Sequence, residues 1–305
     1  MEKSALYQLI RSFSPVEIRD VRRFLQSPFY NQREDLRTLF DILAAAQQAP
    51  EKEAVWLNMQ QTAPYDEQKL RLLMSYLNRL LDQYLVVKEL SADPLRNQLH
   101  AAIAFRKRGL QAHFERQQRE LEKSLQTQPL RHSEFHQLQF QLHWETHQHV
   151  YAQNPTAVSM LRQASTTADI WYFSWKLRLI CLLTAHYTIY PANWQPDWDE
   201  ELIARAEEKA RTETLPSLQM YLFCYRMLRF PDEEAHFQNF KTALEEGADR
   251  FPPDEMHSLY ILAINYCIRR LNAGNTHYFA EALDLYKAAL TQDYLFENGV
   301  LSRFT

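Results

Sequence analysis

Apolar residues recur along this chain at intervals of three and four, the spacing that lines one face of an α-helix. The clearest stripe is Leu70, Leu73, Leu77, Leu80, Leu81 and Tyr84, which predicts a helix over residues 66–90. A shorter stripe, Ile18, Val21, Phe24 and Leu25, opens at Ser14-Pro15-Val16-Glu17. There a capping serine, a proline at the first helical position and a glutamate three residues after the serine coincide. A helix over residues 4–12 precedes it, and Ser27-Pro28 closes it. Asn31 is placed to cap a third helix through Leu36, Leu39, Phe40 and Leu43, and a fourth covers residues 54–59. Asp93-Pro94 opens a further helix that Gly109 closes, residues 110–126 return, and helices follow over 133–152 and 155–190.

Composition strengthens this pattern. Four glycines in 305 residues is far below the usual ~7%. Sheets need glycine at hairpin turns and bulges, and phosphate-binding loops need it for close backbone approach. The fold class expected from composition is therefore all-α, and the repeat in the last third extends it to helical hairpins stacked as an α-solenoid. At 46% hydrophobic and 24% charged, the chain has enough apolar surface to fold.

The last third repeats. Cys181, Cys224 and Cys267 follow one another at steps of 43, each inside an aromatic-rich apolar segment: LRLICLLTAHY, MYLFCYRMLRF and AINYCIRRLNA. Phe240-Lys241-Thr242-Ala243-Leu244 matches Tyr286-Lys287-Ala288-Ala289-Leu290 at a step of 46, the extra residues falling in the turn at 272–277. Ala206 and Lys209-Ala210 are a weaker first copy, after a longer loop at 191–197.

Phe279-x-x-Ala282-x-x-x-Tyr286-x-x-Ala289-Leu290 resembles the second helix of a tetratricopeptide repeat, and Phe240-x-x-Ala243-Leu244 keeps the end of that pattern. The resemblance covers about residues 171–290 and is degenerate. The unit exceeds the usual ~34 residues, and the family's tryptophan and leucine-glycine are missing from the first helices. It implies a curved stack of hairpins whose first helices line a groove for another protein or peptide. Two regions follow: an N-terminal helical region over 1–130, part of the solenoid or a separate bundle, and tetratricopeptide-like hairpins over 131–305. After Leu290 come Leu295, Phe296, Val300, Leu301 and Phe304 with no polar capping helix. That end is expected to be open, covered by a partner or continued in a longer natural protein.

Charge and cysteine count narrow the possibilities. The first 131 residues carry 20 Lys and Arg against 16 Asp and Glu, the remainder 14 against 22. The acidic half argues against a protein coated in nucleic acid, while the basic half leaves room for a smaller anionic partner. Three widely spaced cysteines exclude a disulfide scaffold and a zinc ribbon. Residues 1–13 lack the apolar core of a signal peptide, and 177–187, the most apolar stretch, contains Arg178 and His186 and is too short for a bilayer. The expected location is cytoplasmic, with no membrane partner.

Four constellations could carry chemistry. His132, His136, His143 and His147, spaced 4, 7 and 4, fall on one helical stripe and could hold a metal, although Glu134 and Glu145 point elsewhere and a plain polar helix explains them better. Arg96, Arg106, Lys107, Arg108, Arg116 and Arg119, interleaved with Phe105 and Phe114, form a possible anion-binding or nucleic-acid segment over 96–119, diluted by Glu115, Glu120 and Glu122. Arg19, Arg22 and Arg23 suggest a helix-turn-helix, but the turn at 13–15 lacks glycine and a structural hairpin fits better. The polar positions shared by the three cysteine-bearing helices form a ridge: Lys176 and His186; Gln219, Arg226 and Arg229; Asn265, Arg269 and Asn272. That ridge could hold an acidic segment or free carboxylate of a partner, or simply balance nearby glutamates. No phosphate loop, dinucleotide fingerprint, nucleophile elbow or zinc-protease helix is present, and the acidic cluster at 197–201 reads as a helix start. The reading is a non-catalytic binding scaffold without a cofactor. A nucleic-acid-associated regulator and a histidine-dependent metalloprotein are the alternatives.

Overall fold

A computed structural model describes residues 4–59, 64–190, 199–297 and 300–301. Among these the chain is all-α: fourteen helices and one two-residue antiparallel strand pair, Phe296–Glu297 with Val300–Leu301. The chain divides into two compact units, Met1–Asn97 and Gln98–Thr305. This boundary precedes the one expected at residue 130. The reason is that the segment after Asn97 is tied to later helices: Arg106 Nε lies 2.6 Å from Glu145, and the Phe114 and His149 rings are 4.4 Å apart. Redrawn here, the first unit holds 13 basic and 13 acidic residues, so the positive excess expected of the early sequence belongs to the second unit.

The first unit contains α1 (Ala5–Ser12), α2 (Pro15–Gln26), α3 (Glu34–Ala45), α4 (Lys52–Asn58) and α5 (Glu67–Ala92). Helices α1, α2 and α4 each pack on both α3 and α5. The capping box forms as the sequence predicts: Glu17 N–H donates to Ser14 Oγ at 3.3 Å, and Ser14 N–H donates to Glu17 Oε2 at 2.7 Å. Lys88 on α5 bonds the same glutamate and holds its carboxyl down at about 2. Asn31 does not cap α3. It is buried, its amide donates to Leu25 O and Arg33 O at 2.9 Å each, and its Oδ1 accepts from Arg33 N–H, so it closes the α2–α3 turn from inside.

Helix α6 (Pro94–Lys107) begins under an Asp93 cap, with Arg96 N–H donating to Asp93 Oδ1 at 2.9 Å. Gly109 has φ +71, the left-handed turn that lets the chain reverse into α7 (Gln111–Thr127). Then come α8 (Ser133–Tyr151), α9 (Ser159–Ile189), α10 (Glu200–Thr212), α11 (Pro216–Arg229), α12 (Glu234–Glu246), α13 (Pro253–Asn272) and α14 (Tyr278–Thr291). Helix α8 lies along α9, α9 beside α11, and α11 beside α13, each with the following helix folded against it. The three cysteines are buried in α9, α11 and α13. Ser174 Oγ donates to Ser217 Oγ at 2.9 Å across the α9–α11 interface.

Two details depart from the sequence pattern. Phe279 is 68% exposed and Tyr286 only partly buried, while Tyr278, Ala282, Leu285 and Ala289 are buried, so α14 meets the core with one aromatic at its start and small or aliphatic residues along the rest. The chain after α14 is not wholly open either. Tyr294 and Leu295 are buried, the Tyr294 ring lies 5.6 Å from Tyr260, and Tyr294 OH donates to Ala248 O at 3.2 Å. Residues 191–198, which include the expected long loop, and Phe304 lie outside the described residues.

Candidate functional site

The second unit carries a two-lobed cleft. One lobe, of about 460 Å³, lies between α7, α8 and the turn into α11, and is lined by Glu122, Leu125, Arg131, Phe135, His136, His143 and Leu215 among others. The other, of about 330 Å³, is lined by Gln219, Met220 and Phe223 of α11, Ala243 and Glu246 of α12, and Gly247, Arg250 and Phe251 beyond it. Arg131, Thr214 and Pro216 belong to both lobes.

Arg131 sits in the α7–α8 linker. Its backbone N–H donates to Arg250 O at 2.8 Å, joining that linker to the one before α13. Its guanidinium lies over the Phe135 ring at 4.5 Å and donates from Nη1 to Gln128 O and Leu130 O, both at 2.7 Å. Two backbone carbonyls leave most of the five guanidinium donors uncommitted, and they neutralise no charge. Burial, and then the charge of Arg250, hold the Arg131 pKa below its ordinary value. Arg250 itself is exposed and 3.4 Å from its neighbour Asp249. At Gly247 an added Cβ would meet Ala243 O at 2.7 Å and Met220 Cε at 2.8 Å, so this wall of the cleft requires glycine.

The histidine stripe contributes to the first lobe but does not converge. His136 is buried, its Nδ1 is 3.3 Å from Gln139 Oε1, and its Nε2 has no hydrogen-bond partner. Burial pulls its pKa down to about 4, against the weaker upward pull of Gln139 and the Arg131 carbonyl. His143 Nδ1 faces Thr167 Oγ1 at 3.4 Å, and burial lowers its pKa too, with Glu122 opposing. His147 lies between the rings of Trp144 and Tyr151, and His132 is displaced from the cleft. Among the described residues no three His, Cys, Asp or Glu side chains are grouped to hold a metal.

Comparison with protein-family models, curated proteins and solved structures finds no match. The geometry therefore stands alone.

The ridge residues are only partly brought together. Arg226 Nε and Nη2 lie 3.1 and 2.7 Å from Glu207 Oε1 on α10, so this arginine is spent on an internal ion pair, the glutamate-balancing role weighed against a groove. Arg229 stacks over Phe230 at 5.6 Å and Arg269 over Tyr266 at 6.0 Å. Gln219 alone of the eight lines the cleft. Lys176 and Asn265 are half-buried elsewhere, Asn272 is exposed, and His186 contacts the Tyr190 ring. In the segment 96–119, Arg106 is paired with Glu145, Arg96 with Asp93 at 3.0 Å, and Arg116 approaches Glu120 at 3.9 Å. Arg108 donates to Ala104 O, and with Lys107 and Arg119 it is exposed. These residues form no common pocket.

A buried polar cluster lies behind the cleft. Tyr221 OH donates to Glu255 Oε1, and Arg178 Nη1 is 3.3 Å from Glu255 Oε2. Burial raises the Glu255 pKa, with Tyr221 and Arg178 opposing. Glu255 is 1% exposed, and none of the three lines either lobe, so their role is to bind α9, α11 and α13 together. Sequence reasoning passed over Arg131, Arg250 and Glu255. Arg131 follows a proline linker without motif, and Glu255 looks like any acid in a first helical turn.

Proposed function

We propose that this chain is a non-catalytic binding protein whose second unit is a helical-repeat array, tetratricopeptide-like in its layering, that holds an extended segment of another protein. The layering supports the array. Helices α9, α11 and α13 succeed one another side by side, and α12 is bridged to α14 by Gln238 and Lys241, 3.2 and 2.7 Å from Glu281. The observation that carries the reading is the two-lobed cleft, whose adjoining lobes and mixed polar and apolar walls suit a peptide better than a compact metabolite. It also replaces the polar ridge as the place of binding, since Arg226 is engaged by Glu207. No described helix is long and apolar enough to cross a membrane.

The test uses Thr214, an exposed loop residue shared by both lobes. Random twelve-residue peptides displayed on phage would be panned on the intact chain and on a Thr214→Trp variant. Peptides that bind the first and not the second are expected. Equal enrichment on both would remove the cleft from consideration.

A further inference from the structure

We infer that the junction of the two lobes is a carboxylate-binding point, made by Arg131 and Arg250, for an acidic residue of a bound peptide whose flanking apolar side chains enter the lobes. This rests on the peptide-binding reading above and names the chemistry of its ligand.

Arg131 is drawn into the protein, stacked on Phe135 and bonded to two carbonyls, yet no described carboxylate lies within ion-pairing distance of it. The nearest charge acting on it is another cation, Arg250. The two guanidinium charges oppose one another, Arg250 is countered among the described residues only by exposed Asp249 at 3.4 Å, and an anion bound between the two arginines would relieve that opposition. Arginine's planar fork matches a carboxylate with two parallel N–H bonds, and a partly desolvated fork gains more from that anion than an exposed one.

The surroundings choose among anions. Glu122 and Glu213 border the first lobe and Glu246 the second. Glu213 is held by Lys209 at 2.6 Å and Glu122 by Gln118 at 2.9 Å. Negative groups lining both lobes repel a polyanion such as nucleic acid more strongly than a single carboxylate. Each lobe also has an apolar floor: Leu125, Phe135 and Leu142 in the first, Met220, Phe223 and Phe251 in the second. An acidic residue with an apolar side chain on either side fits this order of chemistry.

His136 supplies an independent sign of a ligand. With its Nδ1 proton directed to Gln139 Oε1, Nε2 is an acceptor without a donor, on a ring only 4% exposed that lines the first lobe. A buried acceptor left bare costs about 1–3 kcal/mol, and a peptide N–H is the complementary group.

Fluorescein-labelled hexapeptides with the order apolar–acidic–apolar would be titrated against the intact chain by polarisation, beside counterparts carrying asparagine or glutamine at the acidic position. Inorganic phosphate and a single-stranded oligonucleotide serve as competitors. Binding by the acidic peptides, at least tenfold tighter than by the amides and lost at least tenfold in Arg250→Glu and in Arg131→Met, is the expected result. Arg250 is exposed, so its variant stays informative if Arg131→Met does not fold. Amide and acidic peptides binding alike would overturn the carboxylate point while leaving a peptide cleft. Displacement by phosphate or oligonucleotide at micromolar concentration would overturn the peptide in favour of a phosphate ligand. No binding of any hexapeptide by a folded chain would overturn this inference, and the wider peptide-binding reading would then stand or fall on the Thr214→Trp panning.

Discussion

The two units solve the problem of the interior differently. In the first, Asn31 is the one buried polar residue among those described, and both of its amide donors and its oxygen are used. In the second, ten polar or charged residues are buried, Glu255 among them, and four of these keep an atom without a partner: Ser133 Oγ, His136 Nε2, Thr146 Oγ1 and His147 Nδ1. Unsatisfied buried groups cost stability, so a fold keeps them where something else is gained. The contrast teaches that the first unit is built around apolar packing, whereas the second gives up some stability along α8 and beside the cleft.

The sharpest test of this contrast is Glu255→Ala. It leaves Arg178 and Tyr221 OH without their buried partner and is expected to cost the second unit about 3–5 kcal/mol, read by denaturant unfolding. An unchanged midpoint would mean that the cluster does not hold the helices together.

Acid comes next. His136 is neutral in the fold with a pKa of about 4, while the unfolded chain takes up its proton near 6.5. Its stabilisation is therefore complete above 6.5 and is lost as pH falls towards 4, by about 3 kcal/mol over that window. His132 and His143 act in the same direction. Glu255 opposes them, because its raised pKa favours the fold on protonation. In the first unit the corresponding losses come from carboxylates held down by cations, Glu17 by Lys88, Asp35 by Arg33 and Glu67 by Lys52, and that of Glu17 runs from 4.5 down to about 2. Native-state hydrogen exchange at pH 5 should accordingly show α8 amides opening more readily than at pH 7, with α5 unchanged. Equal change in both would erase the distinction.

Asn31→Ala should cost the first unit about 1–3 kcal/mol, by leaving Leu25 O and Arg33 O without donors. Ser14→Ala, which removes one half of a surface capping box, should cost about 1 kcal/mol by thermal melting.

What could be read from sequence follows the range of each interaction. The α2 capping box, the Asp66 cap and the Asp93-Pro94 start are local, and each occurs where the residues announce it. Asn31 misled because its side chain reaches back six residues to Leu25 O, a tertiary bond that a capping pattern imitates. Phe279 shares a spacing with Ala282 and Ala289 but not their burial, because exposure is decided by the neighbouring helices. The cleft was illegible for a stronger reason. Glu122, Arg131, His136, Thr214, Phe223 and Arg250 come from separate segments, and no spacing along the chain relates them. The arginines that did stand out, Arg106 and Arg226, had their ion-pair partners at sequence separations of 39 and 19. A cluster of charge in one dimension does not show which charges are already answered in three.

The three thiols give the second unit a built-in set of clocks. Cys181, Cys224 and Cys267 are fully shielded on α9, α11 and α13, and burial pushes the Cys181 thiol well above its ordinary value and that of Cys267 up to about 12. An alkylating reagent reacts with thiolate and can reach each sulfur only when its own helix opens. The rate at which each cysteine is modified in native buffer therefore reports the opening of one layer at a time. A ligand seated against α11 should slow the labelling of Cys224 first.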